Sequence, residues 1–283
     1  MPMTAPPTIA LVGPGAIGTT VAAALHEADR TPALFGRTAH DHLELRFEGG
    51  RIRVPGPVRT DPADIETTFD LVFVAVKTTQ VEAASKWLSA LCSEKTVACV
   101  LQNGVEQKTL FAPYLSRDQV LPSAVWFPAQ RESDASVWLR AKPKLTLPDT
   151  PAARIVLAAL RDTRCSVEVT EDFTSAAWRK LLQNAVAGLM VLTGRRAGMY
   201  SRSDIETLSI AYLNEVIQEI VDAFKCAPAE LGTSILADRQ ARRPLEWDTR
   251  NGVIQRCGQA HGIPSPVSDL IVPLLAAASD GPG

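Results

Sequence analysis

Two groups of residues in this sequence have the types and spacing to do chemistry. Lys180 and Asn184 stand four residues apart among Trp178, Leu181, Leu182, Val186 and Leu189. That pattern predicts a largely buried helix with both polar residues on one face. Polar groups in such a place need partners, and burial disfavours the ammonium form of a lysine. A lysine tuned in this way is a useful general acid: it can stabilise and protonate the oxygen of a ketone while a hydride arrives at the carbon. The plainer alternative is a lysine beside Arg179 that snorkels outward from the helix.

The second group lies at the start of the chain, where the apolar run Thr8-Ile-Ala-Leu-Val breaks into Gly13-Pro14-Gly15-Ala16-Ile17-Gly18 and continues as a helical pattern to Ala28. Strand, glycine turn and helix in this order predict a dinucleotide site. Gly13 allows the tight turn, Gly15 the approach of a pyrophosphate, and Gly18 the packing of helix on strand. The phosphates would sit at the helix N-terminus, where amide groups and the helix dipole favour negative charge. Nineteen residues after Gly18, where enzymes that select NAD usually carry a carboxylate, stands Arg37. A guanidinium can take a 2′-phosphate with two charge-assisted hydrogen bonds, so the expected cofactor is NADPH. An ordinary solvated arginine is the alternative, and His40 nearby reads as a surface histidine.

Further polar residues fall where a ligand would be met. The continuous apolar run Asp70 to Lys77 predicts a central parallel strand, and ligands of such sheets bind beyond the strands' carboxyl ends. Lys77 and Thr78 would therefore face the cofactor. The next strand, Thr96 to Leu101, ends in Gln102-Asn103-Gly104, either a turn or a contact to cofactor or substrate. Glu246 opens a helix after Pro244; there it could orient Lys180, bond a ribose or substrate hydroxyl, or simply suit the helix dipole. Ser234 and Asn251 are polar residues on apolar helices, and His261 reads as a cation at a helix C-terminus.

The elements that must carry these residues fall into two halves. Up to about Thr170, strands and helices alternate: a helix at Val81 to Leu91, a strand at Val120 to Trp126, and a helix and strand at Ala152 to Leu160 and Ser166 to Val169. Thr38 to Thr60 reads as irregular apart from Arg51 to Val54, and Ser136 to Arg140 reads as an antiparallel partner of Lys144 to Leu147. Beyond Thr170 the pattern is helical only. Helices are expected from Ala176 to Val191 with Asp172 or Thr174 as cap, from the capping box Ser203 to Glu206 through Phe224, from Pro228 to Arg242, from Glu246 to His261, and from Pro266 on. The fold class expected is α/β: a Rossmann-type dinucleotide domain over residues 1–170, then an all-α substrate and dimerisation domain over 171–283, with a cleft between them.

Composition limits the function classes. A chain of 283 residues, 46% hydrophobic and 21% charged, can bury two cores. Net charge −2 without any Lys/Arg run argues against nucleic acid or an anionic membrane as partner. The apolar segments around Leu181 to Thr193 and Leu270 to Ala278 are too short to span a bilayer, and Met1 to Gly18 lacks a basic n-region, so a cytoplasmic protein is expected. Cys92, Cys99, Cys165, Cys226 and Cys257 form no CxxC pair, which fits reduced thiols rather than disulfides or a metal site. The apolar faces of the helical half leave a homodimer open.

Taken in order, Gly13-x-Gly15-x-x-Gly18, Val76-Lys77, Gln102-Asn103-Gly104, Trp178-Arg179-Lys180 with Asn184, Ser234, Glu246-x-Asp248-x-x-Asn251-Gly252 and Ala260-His261-Gly262-Ile263-Pro264 resemble the ketopantoate reductases. The resemblance implies a helical second domain like the C-terminal domain of 6-phosphogluconate dehydrogenase. It also implies NADPH-dependent reduction of 2-dehydropantoate (ketopantoate) to (R)-pantoate, a step towards pantothenate and coenzyme A. By resemblance Lys180 is the proton donor, Glu246 the carboxylate of cofactor and active site, Asn103, Asn184 and Ser234 hold the substrate, and Lys77 and Ala129 line the NADPH site. The sequence departs from the family where a second helix asparagine usually follows four residues after the first, since Gly188 stands there; a later Asn-Gly is replaced within Gly194 to Gly198. Arg195 or Arg196 could compensate by binding a carboxylate. Beside this reading stand a paralogue that reduces another small branched 2-oxo acid or oxidises a 3-hydroxy acid, and, as a different class, an NADPH-binding sensor without turnover, against which the intact Lys180, Asn184 and Glu246 set speaks.

Overall fold

A computed structural model describes residues 6–213, 228–230 and 232–280. Contacts divide the chain into two units: Met1–Gln102 with Glu106–Ala177, and Asn103–Val105 with Trp178–Gly283. The division falls inside a helix, past the Thr170 expected from the pattern, and it assigns one short internal segment to the second unit.

In the first unit the chain runs β1 (Ile9–Val12), α1 (Ala16–Glu27), β2 (Ala33–Phe35), β3 (His42–Phe47), β4 (Gly50–Pro55), β5 (Val58–Arg59), β6 (Phe69–Val74), α2 (Val81–Leu91), β7 (Cys92–Val100) and α3 (Gln107–Phe111). It continues through β8 (Val120–Pro122), β9 (Ala124–Val125), β10 (Ala129–Arg131), β11 (Val137–Leu139), β12 (Lys144–Pro148), α4 (Ala153–Ala159) and β13 (Ser166–Thr170). The main sheet has six strands in the order β5-β2-β1-β6-β7-β8, all parallel.

Its strands are aliphatic without alternation because both faces are covered. Ile9 and Leu11 of β1 and Leu71 and Phe73 of β6 pack with Val21 and Leu25 of α1. Ala10, Val12, Val72 and Val74 point the other way, onto Val81, Trp87 and Leu88 of α2. Each leucine or valine fully buried in this way contributes about 1.5–3 kcal/mol. From β1 the chain winds outward to β2 and β5, then returns to start β6 and winds the opposite way. The reversal lies between β1 and β6, where open parallel sheets bind their ligands.

Several details differ from the sequence-based expectation. Residues 38–60 are not irregular: β3 and β4 form a regular antiparallel hairpin, with Leu43, Leu45 and Val54 buried against the core shared with α1. Val120 to Trp126 is not one strand. The chain leaves the main sheet after Pro122, and Ala124 and Val125 join a three-stranded sheet ordered β13-β12-β9. Buried Ser123 marks the switch and donates to the Val100 carbonyl at 2.7 Å. The expected pairing of Ser136–Arg140 with Lys144–Leu147 does not form. β11 pairs with β10 and β3 in a four-stranded sheet, whereas β12 pairs with β13 and β9.

In the second unit the described elements are α5 (Phe173–Thr193, which begins in the first unit), α6 (Ser203–Leu213), α7 (Ser234–Gln240), α8 (Val253–His261) and α9 (Pro266–Asp280). Asp172 caps α5, its Oδ1 accepting from the Ser175 amide at 3.0 Å. The helix is buried on all sides from Asn184 to Val191, in a core with Tyr200, Tyr212, Ile235, Leu236, Ile271 and Leu275. The helix expected from Pro228 begins instead at Ser234, where Thr233 supplies the cap by accepting from the Leu236 amide. The continuation of α6 towards Phe224, and Cys226, lie outside the described residues. Cys92, Cys99, Cys165 and Cys257 are free thiols, with Cys99 and Cys165 buried. Among the described residues no helix is long and apolar enough to cross a membrane.

Candidate active site

The glycine turn is built by close packing at the carboxyl end of β1. Gly13 has φ +85°, and a Cβ there would lie 2.8 Å from Cγ1 of Val76, so any side chain meets both strain and steric conflict. At Gly18 a Cβ would lie 2.5 Å from the Gly13 carbonyl oxygen, so α1 approaches the turn only because that position is glycine. Gly15 caps α1 without a side chain and faces open space. Pro14, Ala16 and Ile17 are half-buried around it. Space before uncapped first-turn amides is what a pyrophosphate requires.

Arg37 lies two residues beyond β2 and is exposed. It is close to the glycine turn because Gly36 abuts Pro14: a Cβ on Gly36 would fall 2.9 Å from Pro14 Cδ. Lys77 follows β6 at the point of strand reversal, with its amide donating to Gln80 Oε1 at 3.3 Å. After β7, the strand next to β6, Gln102 donates from Nε2 to the Val76 carbonyl at 2.7 Å. Its Oε1 is buried without a partner among the described residues. Ala129 is half-buried in β10, opposite Leu139. His40 is bonded to Arg131, with Nε2 to Nη2 at 3.1 Å. Together the open cap, the uncapped amides and the exposed guanidinium fit a dinucleotide carrying a 2′-phosphate.

The second unit holds the expected acid and amides together. Lys180 and Asn184 lie one turn apart on α5, and Asn184 donates from Nδ2 to Oδ1 of Asn103 at 3.0 Å. The turn carrying Asn103 needs its glycine. Gly104 has φ +103°, and a Cβ there would be 3.1 Å from the Thr249 carbonyl oxygen. Burial, and secondarily the positive charge of Arg250, lowers the pKa of Lys180 to about 8.

Opposite these residues the helix entering α8 widens into a π-helical turn at Asp248–Gly252, which turns Thr249, Arg250, Asn251 and Gly252 inward. Such turns are rare and often occur at functional sites. Arg250 is 2% exposed and donates from Nη2 to Ser234 Oγ at 3.0 Å and to Glu246 Oε2 at 3.3 Å. Glu246 is itself buried, so this is an internal ion pair. Lys180, Asn184, Asn103, Ser234 and Glu246 thus belong to one unit, with Arg250 as an unforeseen member. In sequence Glu246 stands out at a helix start, whereas Arg250, four residues on, belongs to no motif. The available signal was their position between buried Leu245 and Asn251.

Gly188, where the family usually has asparagine, is closed rather than open. A Cβ there would meet Asn251 Nδ2 at 3.1 Å and Leu275 Cδ1 at 3.3 Å. Asn251 is fully buried and donates from Nδ2 to the Tyr212 hydroxyl at 2.7 Å and to the Ala185 carbonyl at 3.1 Å. Arg195 and Arg196 are both exposed, and Arg196 is engaged with the Glu230 carbonyl at 3.0 Å. His261 lies at the end of α8, with Nδ1 2.9 Å from the Cys257 carbonyl.

Two family models match this chain, Ketopantoate reductase PanE/ApbA over residues 9–152 and its C-terminal counterpart over residues 198–279. The 2-dehydropantoate 2-reductase of Mycobacterium tuberculosis is 49% identical over 97% of this chain and 99% of its own length. That of Caulobacter vibrioides is 30% identical over 96% of this chain and 99% of its own. Among solved structures, a dimeric ketopantoate reductase from Staphylococcus aureus superposes with a TM-score of 0.85 at 24% identity, covering 98% of this chain and 100% of that one. Sequence and fold agree along both halves, and the chain belongs to the ketopantoate reductase family.

Proposed function

We propose that this protein reduces 2-dehydropantoate to pantoate with NADPH. The observation that carries the reading is the Lys180, Asn184 and Asn103 group, with the Lys180 pKa lowered to about 8 by burial and by Arg250, which itself bonds buried Glu246 and exposed Ser234. In this reading the pyrophosphate of NADPH rests on the first-turn amides of α1 at Gly15, Ala16 and Ile17. Arg37 takes the 2′-phosphate, while Lys77, Asn103, Ala129 and Glu246 line the rest of the cofactor. Bound NADPH supplies a hydride to the C2 carbonyl of the oxo acid.

The remaining work falls to side chains. Lys180 donates a hydrogen bond to the carbonyl oxygen, stabilises the negative charge that grows there, and delivers the proton that completes the alcohol. A pKa near the working pH suits this role, because the amine gives up its proton readily and regains it from water. Asn184 and Asn103 share a hydrogen bond that fixes both amides. Asn184 spends one donor on Asn103, leaving amide groups of both residues for substrate oxygens. Ser234 accepts from Arg250, so its hydroxyl hydrogen is free to point at an anionic substrate.

A second reading, a reductase of another small 2-oxo acid, is favoured by Gly188, whose closure against Asn251 removes an amide that the family usually offers. We also propose a cytoplasmic protein, in keeping with the free thiols, and a homodimer formed through α9, where Leu270 and Leu274 are 70% and 56% exposed. The experiment is NADPH oxidation by the purified protein with ketopantoate beside a panel of 2-oxo acids. Strong preference for ketopantoate is expected. Preference for another acid would replace the first reading by the second, and NADPH binding without turnover on any acid would leave only a sensor.

A further inference from the structure

We propose that Arg250 is a substrate-specificity residue, which together with Ser234 receives the carboxylate of the 2-oxo acid. The inference rests on the reductase reading above and adds a residue that the sequence motifs did not single out.

A guanidinium has five N–H donors in a planar fork, and removing it from water is costly unless those donors are used. Arg250 is 2% exposed, yet the two bonds it makes both come from Nη2. Its Nε is buried with no acceptor among the described residues. The contact to Glu246 is a single bond of 3.3 Å, longer than the 2.7–2.9 Å usual for a charge-assisted pair. An internal ion pair built only for stability would use the fork on both carboxylate oxygens. This one leaves part of it unspent.

The electrostatics point the same way. The charge of Arg250 acts on Lys180 and lowers its pKa, and a carboxylate bound beside the two cations would relieve that repulsion. The route to Arg250 is through Ser234, which is exposed at the start of α7 and touches the guanidinium at 3.0 Å. An anion that accepts a hydrogen bond from the Ser234 hydroxyl lies beside the guanidinium, whose Nε has no acceptor among the described residues. Recognition by a buried cation also accounts for the loss of an amide at Gly188, since one charged partner can hold a carboxylate in place of a neutral donor. Arg195 and Arg196, both exposed, do not offer that burial.

The test compares ketopantoate with its uncharged primary amide, using wild type, Arg250→Lys and Arg250→Met. Wild type is expected to favour the acid strongly. Arg250→Met should raise KM for the acid about 10–100-fold, the value of a charge-assisted hydrogen bond, and leave KM for the amide nearly unchanged, so that discrimination collapses. Arg250→Lys keeps a cation beside Glu246 but loses the fork, and it should show a smaller rise for the acid alone. It also covers the case in which the methionine variant fails to fold because Glu246 is left buried and unpaired. An equal rise for acid and amide, or no rise in a folded variant, would overturn the inference and leave Arg250 as an internal ion pair. Absence of wild-type turnover on any oxo acid would instead remove the reductase reading beneath it.

Discussion

Replacing Lys180 by methionine should cost activity and increase stability, and the two effects depend differently on pH. The pKa of this lysine falls from 10.5 to about 8, first through burial and then through Arg250. At 1.36 kcal/mol per pKa unit, the folded protein bears a penalty of about 3 kcal/mol for keeping Lys180 charged. For a group whose folded pKa lies below its unfolded one, the unfolded chain binds more protons between the two values. The penalty is therefore complete below pH 8, shrinks as pH rises, and is gone by about pH 10.5.

Methionine has a similar shape and no charge, so Lys180→Met should be more stable at pH 7 by about 1–3 kcal/mol, with the gain fading towards pH 10. Urea unfolding at both pH values measures this directly. In the same variant turnover should fall by about 10²–10⁴, the usual contribution of general acid catalysis. In wild type, kcat/KM should decline above pH 8 as the acid loses its proton. A variant that is no more stable than wild type at pH 7, or whose advantage does not change with pH, would refute the assignment of a desolvated ammonium.

Three further outcomes follow from other parts of the molecule. Arg37→Ala should weaken NADPH binding by about tenfold or more, consistent with loss of charge-assisted bonds, and leave NADH almost unaffected; equal losses in titrations with the two cofactors would exclude a 2′-phosphate contact. Gly188→Asn, which restores the usual family residue, should lower stability by about 1–3 kcal/mol because its Cβ meets Asn251 and Leu275. Thermal melting checks this, and an unchanged midpoint would mean that the core yields there. Gly18→Ala should disrupt the glycine turn, since its Cβ would lie 2.5 Å from the Gly13 carbonyl. NADPH affinity measured by fluorescence should fall sharply, while the separately packed second unit keeps its helical signal.

Much of this architecture is legible in the sequence because the relevant signals are local. β1 and β6 are short aliphatic runs, β1 closed by a glycine turn that its packing requires, and α2 occupies the predicted Val81–Leu91. Lys180 and Asn184 declare themselves by placing polar groups on an apolar helix. What escaped depends on partners distant in the chain. The β3–β4 hairpin carries Glu44, Arg46, Arg51 and Arg53, so it reads as loop, although Leu43, Leu45 and Val54 bury one face. β11 and β12 each look like a hairpin arm, but their partners are β3 and β13 rather than one another. The proline at 228 suggested a helix start, yet the hydroxyl of Thr233 sets it. Arg250 was hidden by its type: arginine is ordinarily solvated, and only the π-helical turn brings it inside.

The assignment of Asn103–Val105 to the second unit has a consequence for anyone wishing to dissect the protein. The chain contributes to that unit twice, first through three residues after β7 and again from Trp178 onward. A fragment starting at Trp178 would keep Lys180, Asn184, Ser234, Glu246 and Arg250 but would lack the amide that Asn184 is bonded to and the turn that rests on Thr249. Grafting the helical half of a relative onto this nucleotide-binding half would require Asn103–Val105 to travel with it. The loop after β7 is thus a seam in recombination, and chimeras cut only near residue 170 would join a site to the wrong piece of itself.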